Sequence, residues 1–202
     1  MKIKICGLTN KLEAEYLNRN QVDFAGMVLF FPKSKRNITI DQAKEIMSAL
    51  HSGIKKVAVV VSPSVQQVRE IETAGFDYIQ IHGKVTKELL EQTSIAVLKA
   101  FNIKDMQDYE SYHRNPRIAG YVFDAQEPGS GKTFDWGLVK DIPRDEKMLL
   151  LAGGLHSDNV REAISYLHPD GVDVSSGVEY GDKLGKDGDK VDLFVTKVRE
   201  CE

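Results

Sequence analysis

From Lys2 the chain alternates polar and apolar residues, Lys2-Ile3-Lys4-Ile5, as a short strand with one buried face does. Gly7 breaks that strand, and Asn10 with Glu13 has the spacing of a capping box ahead of the apolar positions Leu12, Tyr16 and Leu17. Asp23–Leu29 reads as a buried strand. A helix starts at Thr39, paired with Gln42 in a second capping box, and turns Ile40, Ala43, Ile46, Met47 and Leu50 inward. Lys56–Val61 is an apolar run of the kind that marks a strand covered on both faces. Ser62-Pro63 is expected to cap the next helix, which carries Val65, Val68 and Ile71 at helical spacing.

The alternation continues with a strand at Asp77–Ile81, a short helix at Thr86–Gln92 and a strand at Ile95–Ala100. Asn102–His113 is a weak helical segment that buries Met106 and Tyr109, and Ile118–Phe123 is a strand running into Asp124. A Gly- and Ser-rich loop, Ala125–Thr133, leads to a short helix near Trp136–Lys140. The strand Lys147–Leu151 ends in Ala152-Gly153-Gly154, and Ser157 is expected to cap a helix with Val160, Ala163, Ile164 and Leu167. Gly171–Val174 is the last strand. The final helix, Asp187–Glu200, buries Val191, Phe194, Val195 and Val198 at i, i+3, i+4 and i+7.

Eight short strands thus alternate with eight helical segments, and no composition break marks a linker. Strict alternation implies a parallel sheet, and eight units in one α/β domain over residues 1–202 favour a closed (β/α)8 TIM barrel. The alternative is an open doubly wound sheet. It would need a Gly-rich fingerprint after the first strand, and Cys6-Gly7-Leu8-Thr9 is not one.

Composition narrows the function classes. The 202 residues are 42% hydrophobic and 28% charged with a net charge of −3, which gives no support for a nucleic-acid partner. No apolar run reaches membrane-spanning length and the N-terminus lacks a signal-peptide core, so a cytoplasmic protein is expected. Cys6 and Cys201 lie at opposite ends of the chain and predict no disulfide framework, with Cys201 read as a surface thiol. No His/Cys/Asp cluster has metal-ligand spacing, so no metal is expected.

In a parallel barrel the loops after the strands converge on one face, where active sites form. Cys6, Arg36, Gln80, His82, Asp124, Gly153-Gly154 and Asp173 with Ser175-Ser176-Gly177 all fall there. The opposite turns, such as Asn20-Gln21 and Ala74-Gly75, are plain connectors. Cys6 stands one short turn before a helix N-terminus, which favours a thiolate. Gly153-Gly154 allow a ligand close to the backbone, and Ser175–Glu179 can start a short helical turn whose N–H groups face an anion. Each residue also has a plainer role: Cys6 as a small core residue, Arg36 as a solvated charge, His82 as a strand-end hydrogen-bonder and Asp124 as a loop cap.

The segments KICGLTN, DFAGMVLFFPKSKR, VAVVV, IQIHG, SGKTFDW, LAGGLHSDNVREAI and GVDVSSGVEYGDKLGKD resemble the phosphoribosylanthranilate isomerase family of tryptophan biosynthesis, in the family's order from end to end. The resemblance implies a (β/α)8 barrel and an Amadori rearrangement of N-(5′-phosphoribosyl)anthranilate, through ring opening to a Schiff base and loss of the C2′ proton, without metal or organic cofactor. It implies that Cys6 is the general base, Asp124 the general acid and Arg36 the grip on the anthranilate carboxylate. Gly154, Ser175, Ser176 and Gly177 match the phosphate cradle, with Gln80, His82 and Asp173 in support.

An acid and a base working together at neutral pH need proton affinities pushed apart, so Asp124 is expected to be partly protonated and Cys6 to be drawn toward thiolate. The partner expected is one small phosphoribosyl substrate, with a monomer favoured over a homodimer. Pro128 and Ser130 depart from the family's usual loop, as does Ala125 beside the acid, which touches efficiency more than reaction type. The rival readings are the related histidine-pathway isomerase, which uses a carboxylate base and grips two phosphates, and a phosphate-ligand binder that has lost the chemistry.

Overall fold

The computed structural model describes residues 1–102, 109–113, 115–124, 136–140 and 142–201. Its strands are β1 (Lys2–Cys6), β2 (Phe24–Leu29), β3 (Lys55–Val61), β4 (Tyr78–His82), β5 (Ala96–Asn102), β6 (Ile118–Asp124), β7 (Met148–Leu151) and β8 (Gly171–Val174). All neighbours run parallel, and β1 bonds to β2 on one side and β8 on the other, so the sheet closes into a barrel. Closure removes the open-sheet alternative. The two-residue strand Asn37–Ile38 adds to the end of β2 beside the ring.

The helices are α1 (Glu13–Arg19), α2 (Ile40–Ala49), α3 (Val65–Ala74), α4 (Lys87–Gln92), α5 (Tyr109–Tyr112), α6 (Gly137–Lys140), α7 (Val160–Leu167) and α8 (Gly188–Arg199). A single 3-10 turn, Ser176–Val178, follows β8. Among the described residues no helix is long and apolar enough to cross a membrane.

The two faces of each strand feed separate apolar cores. Ile3, Ile5, Met27, Ile79, Ile81 and Phe101 point outward and pack with helix residues such as Leu17, Ile46, Val68, Ile164 and Phe194. Phe24, Val57, Val59, Leu98, Val122 and Leu150 fill the barrel interior. Each such buried side chain contributes about 1.5–3 kcal/mol. The first strand buries more than its alternation suggested: Ile3 and Ile5 face the helices as its apolar side, and on the polar side Lys2 stays exposed while Lys4 is buried inside the barrel.

Helix starts follow local hydrogen bonding more closely than dipeptide signals. Thr39 and Gln42 form the expected capping box. Ser62-Pro63 does not cap α3; Ser64 does, in a box with Gln67, while the Ser62 hydroxyl accepts from the Lys84 amide. Ser157 does not cap α7, whose flanking residue is Asn159. Near α1, Glu13 accepts from the Thr9 amide rather than completing a box with the Asn10 backbone, and Leu12 is 75% exposed instead of buried.

Asn102, read as the start of a helix, ends β5 instead. The short α5 is held by Tyr109, buried edge-on against Phe101 and Tyr121. Met106 and the loop Ala125–Thr133, with Ala125, Pro128 and Ser130, lie outside the described residues.

Candidate active site

The carboxyl ends of the strands surround a cavity of about 670 Å³. Cys6, from β1, and Asp124, from β6, both line it, from strands three places apart around the ring. Arg36, Gln80, His82, Gly154, Asp173, Ser175 and Ser176 line it as well. Gly177 does not. A side chain at that position would meet the Leu155 carbonyl at 2.0 Å, so this glycine lets the turn after β8 pack on the loop after β7. Gly153 and Gly154 have φ values of 85° and 65°, a left-handed conformation that favours glycine.

The environment of Cys6 differs from the one its helix-terminus position suggested. Helix α1 begins only at Glu13, and burial pushes the thiol pKa up, opposed by the positive charges of Lys4 and Lys186 and reinforced by Asp173. Lys4 Nζ is fully buried and donates to Asp173 Oδ2 at 2.9 Å. Its burial favours the neutral amine, but Asp173 and Cys6 outweigh this and hold it protonated.

Arg36 is likewise no solvated charge. It is buried, and Nε and Nη2 both donate to the carboxylate of Glu179, Nη2 at 3.0 Å. Lys35 Nζ at 2.9 Å and Lys186 Nζ at 3.0 Å complete the shell of Glu179. Burial alone would raise the carboxyl pKa, yet these three cations hold it down at about 2. The expected grip on a ligand carboxylate therefore falls to the outer edge of the guanidinium, where Nη1 has no partner among the described residues. Gly7 makes room for this, since a Cβ there would meet Arg36 Cδ at 2.5 Å.

Ser175 is also committed: its hydroxyl donates to the Cys6 carbonyl at 2.9 Å and accepts from Lys186. His82 is half-buried at the end of β4, and its desolvation together with the charges of Lys4 and Lys99 drives its pKa to about 3 and keeps the imidazole neutral. Gln80 Nε2 lies 3.0 Å from His82 Nε2, a contact that assigns Nε2 as acceptor and leaves the ring proton on Nδ1.

Gln80 Oε1, Asn102 Oδ1 and Asp173 Oδ1 are buried without a hydrogen-bond partner among the described residues, and all three residues line the cavity. Buried acceptors are normally paired, so this cluster is shaped for a ligand carrying several hydroxyl donors. Among the described residues no three His, Cys, Asp or Glu side chains group as metal ligands. Lys4, Asn102, Glu179 and Lys186 are the site residues that sequence reasoning missed. Lys4 carried a signal, because a strand period of two places it on the same face as Cys6.

The family model described as N-(5'phosphoribosyl)anthranilate (PRA) isomerase matches residues 3–197. The chain belongs to this isomerase family. An N-(5'-phosphoribosyl)anthranilate isomerase of Listeria welshimeri is 37% identical over 209 residues, covering 100% of both chains. The crystal structure of phosphoribosyl anthranilate isomerase from Thermotoga maritima superposes with a TM-score of 0.86 at 31% identity over 99% of each chain. A phosphoribosyl anthranilate isomerase in complex with reduced 1-(o-carboxyphenylamino)-1-deoxyribulose 5-phosphate superposes with a TM-score of 0.80 at 30% identity, again over 99% of each chain. Family membership removes the histidine-pathway rival and leaves the roles of individual residues to the geometry above.

Proposed function

We propose that the chain converts N-(5′-phosphoribosyl)anthranilate to 1-(2-carboxyphenylamino)-1-deoxyribulose 5-phosphate in tryptophan biosynthesis, with residues 1–202 working as one barrel unit. The observation that carries this reading is the placement of Cys6 and Asp124 in the wall of one cavity, on strands far apart around the ring. A ribosyl group between them meets an acid on one side and a base on the other.

Asp124 gives its proton to the furanose oxygen, the ring opens to the Schiff base, and Cys6 takes the proton from C2′. The resulting enolamine tautomerises to the ketone, gaining a proton at C1′ as its C2′ hydroxyl loses one. Only protons move, so the reaction needs no cofactor. Arg36 takes the anthranilate carboxylate on its outer edge, and the backbone at Gly154, Ser175 and Ser176 takes the phosphate, with Gly177 allowing the turn that presents them. Ser175 contributes backbone here, since its hydroxyl already bonds to Cys6. The orphaned acceptors on Gln80, Asn102 and Asp173 receive the sugar hydroxyls.

The same reading gives the enzyme one small phosphoribosyl substrate and no nucleic-acid or membrane partner. It places the protein in the cytoplasm as a monomer; a light-scattering mass twice that of one chain would replace the monomer by a dimer. The direct test generates phosphoribosylanthranilate in the assay from anthranilate and phosphoribosyl pyrophosphate and follows loss of its fluorescence. Turnover supports the reading, whereas tight binding without conversion replaces it with a non-catalytic binder.

A further inference from the structure

A thiol pushed upward by burial is a poor base, and the cavity must supply something that favours its anion. The charged or titratable groups facing Cys6 are Lys4 on its own strand, Asp173 on β8 and Lys186 ahead of α8. His82 faces Lys4 from β4, and Lys99 on β5 acts on His82. His82 is neutral. Lys99 Nζ donates to the Ala100 carbonyl and lies over the Phe101 and Tyr112 rings on the helix side of the barrel.

The two remaining cations differ in what they have left to give. An ammonium has three N–H donors. Lys186 Nζ spends its donors on Glu179 Oε1 at 3.0 Å and on Ser175 O and Oγ, both at 3.2 Å. Lys4 Nζ has one oxygen acceptor among the described residues, Asp173 Oδ2 at 2.9 Å, and its other neighbour is the sulfur of Cys6. Gly26, the register partner of Cys6, makes this approach possible. A Cβ on Gly26 would lie 2.9 Å from Cys6 Sγ and 3.1 Å from Lys4 Nζ, so sulfur and nitrogen are neighbours across one missing methyl group.

We infer that Lys4 is the positioning residue that makes Cys6 a base, its ammonium fixed by Asp173 and turned by its spare N–H toward the sulfur that receives the C2′ proton. This deepens the proposed function and rests on its assignment of Cys6. Lys186 adds a smaller charge effect on the thiol, but its N–H groups are spent on Glu179 and Ser175 and none is turned to the sulfur.

The test is the pH dependence of Cys6 alkylation by iodoacetamide, in a Cys201→Ser background that leaves one thiol, alongside the pH profile of kcat. Lys4→Met is expected to move the alkylation midpoint and the rising limb of kcat upward together by about one unit, which is about a ten-fold loss of thiolate at neutral pH. Lys4→Arg should recover part of that shift. A loss of kcat in Lys4→Met with an unmoved alkylation midpoint would make Lys4 a structural residue and overturn the inference.

If Lys4→Met does not fold, the wild-type chain decides the question through the ¹⁵N resonance of Lys4 Nζ. That resonance should titrate with Cys6 and lose the step in Cys6→Ser; a step that persists there overturns the inference. Undiminished turnover by Cys6→Ser would instead overturn the assignment of the base, an outcome the thiol titration keeps separate.

Discussion

Two buried charge networks border the same cavity, and they are finished to different degrees. Around Glu179 the carboxylate itself is fully engaged: Arg36 and Lys186 bond to it, Lys35 adds a third cation and Lys190 Nζ holds the Glu179 carbonyl at 2.8 Å, with Arg36 Nη1 left at the network's outer edge. Around Lys4 and Asp173 one bond to oxygen is made among the described residues, which leaves an ammonium N–H for the Cys6 sulfur and a carboxylate oxygen without a partner. A saturated network fixes loops, here tying the segment after β2 to the segment after β8. An unsaturated one holds capacity for something that is not protein. Buried groups with unused hydrogen-bonding capacity are costly, so their concentration at one end of β1, β4, β5 and β8 points to chemistry there.

The strongest way to break this contrast is to remove the groups the unsaturated side serves. Cys6→Ser and Asp124→Asn should each lower kcat by about 10²–10⁴-fold with thermal unfolding little changed, as steady-state kinetics and calorimetry would show. Near-normal turnover by either variant would return that residue to a packing or capping role.

The saturated side should answer in the opposite currency. Glu179→Gln leaves Arg36 and Lys186 buried beside a neutral amide and should cost about 3–5 kcal/mol in urea unfolding. The native carboxyl is held at about 2 against an ordinary 4.5, so the unfolded chain binds the extra proton between those values. Its contribution, roughly 3 kcal/mol, is complete above about pH 4.5 and lost as pH falls toward 2. An acid unfolding curve identical in Glu179→Gln and wild type would contradict this.

A smaller effect separates binding from stability. Asn102→Leu removes a buried acceptor that has no partner among the described residues, so KM should rise about three- to ten-fold without a fall in the melting temperature. A lower melting temperature with unchanged KM would make Asn102 a scaffold residue. Smallest of all, Ser64→Ala should cost about 1 kcal/mol through loss of the α3 cap, and Ser157→Ala almost nothing, both with activity intact.

The difference between Ser64 and Ser62 also shows where the sequence was legible. The box Ser64-x-x-Gln67 was present in the chain, but Pro63 drew the helix start two residues too early, because Pro at a first helical position is only a preference. The strands were readable because branched apolar runs recur with turn signals between them, and every one of the eight lies within a residue or two of its expected place.

The site was readable wherever a residue stands at a strand's carboxyl end, as Cys6, His82 and Asp124 do. It was unreadable where function depends on partners distant in sequence. Arg36 and Glu179 are 143 residues apart and Lys4 and Asp173 are 169 apart, and nothing local announces either pairing. The burial of Lys4 on β1 was missed for a related reason. A strand with lysines on one side ordinarily turns them to water, but in a closed barrel both sides are covered, and Lys4 faces inward because Asp173 balances its charge.

The fate of the hydrogen at C2′ tests the role of Cys6 most directly. Substrate deuterated at that carbon, followed by NMR, should lose the label from C2′ at the rate of product formation with the wild-type chain. With Cys6→Ser the loss should be at least about a hundred-fold slower. Wild-type loss of the label by Cys6→Ser would contradict the claim that this sulfur, set across the cavity from Asp124, is the base.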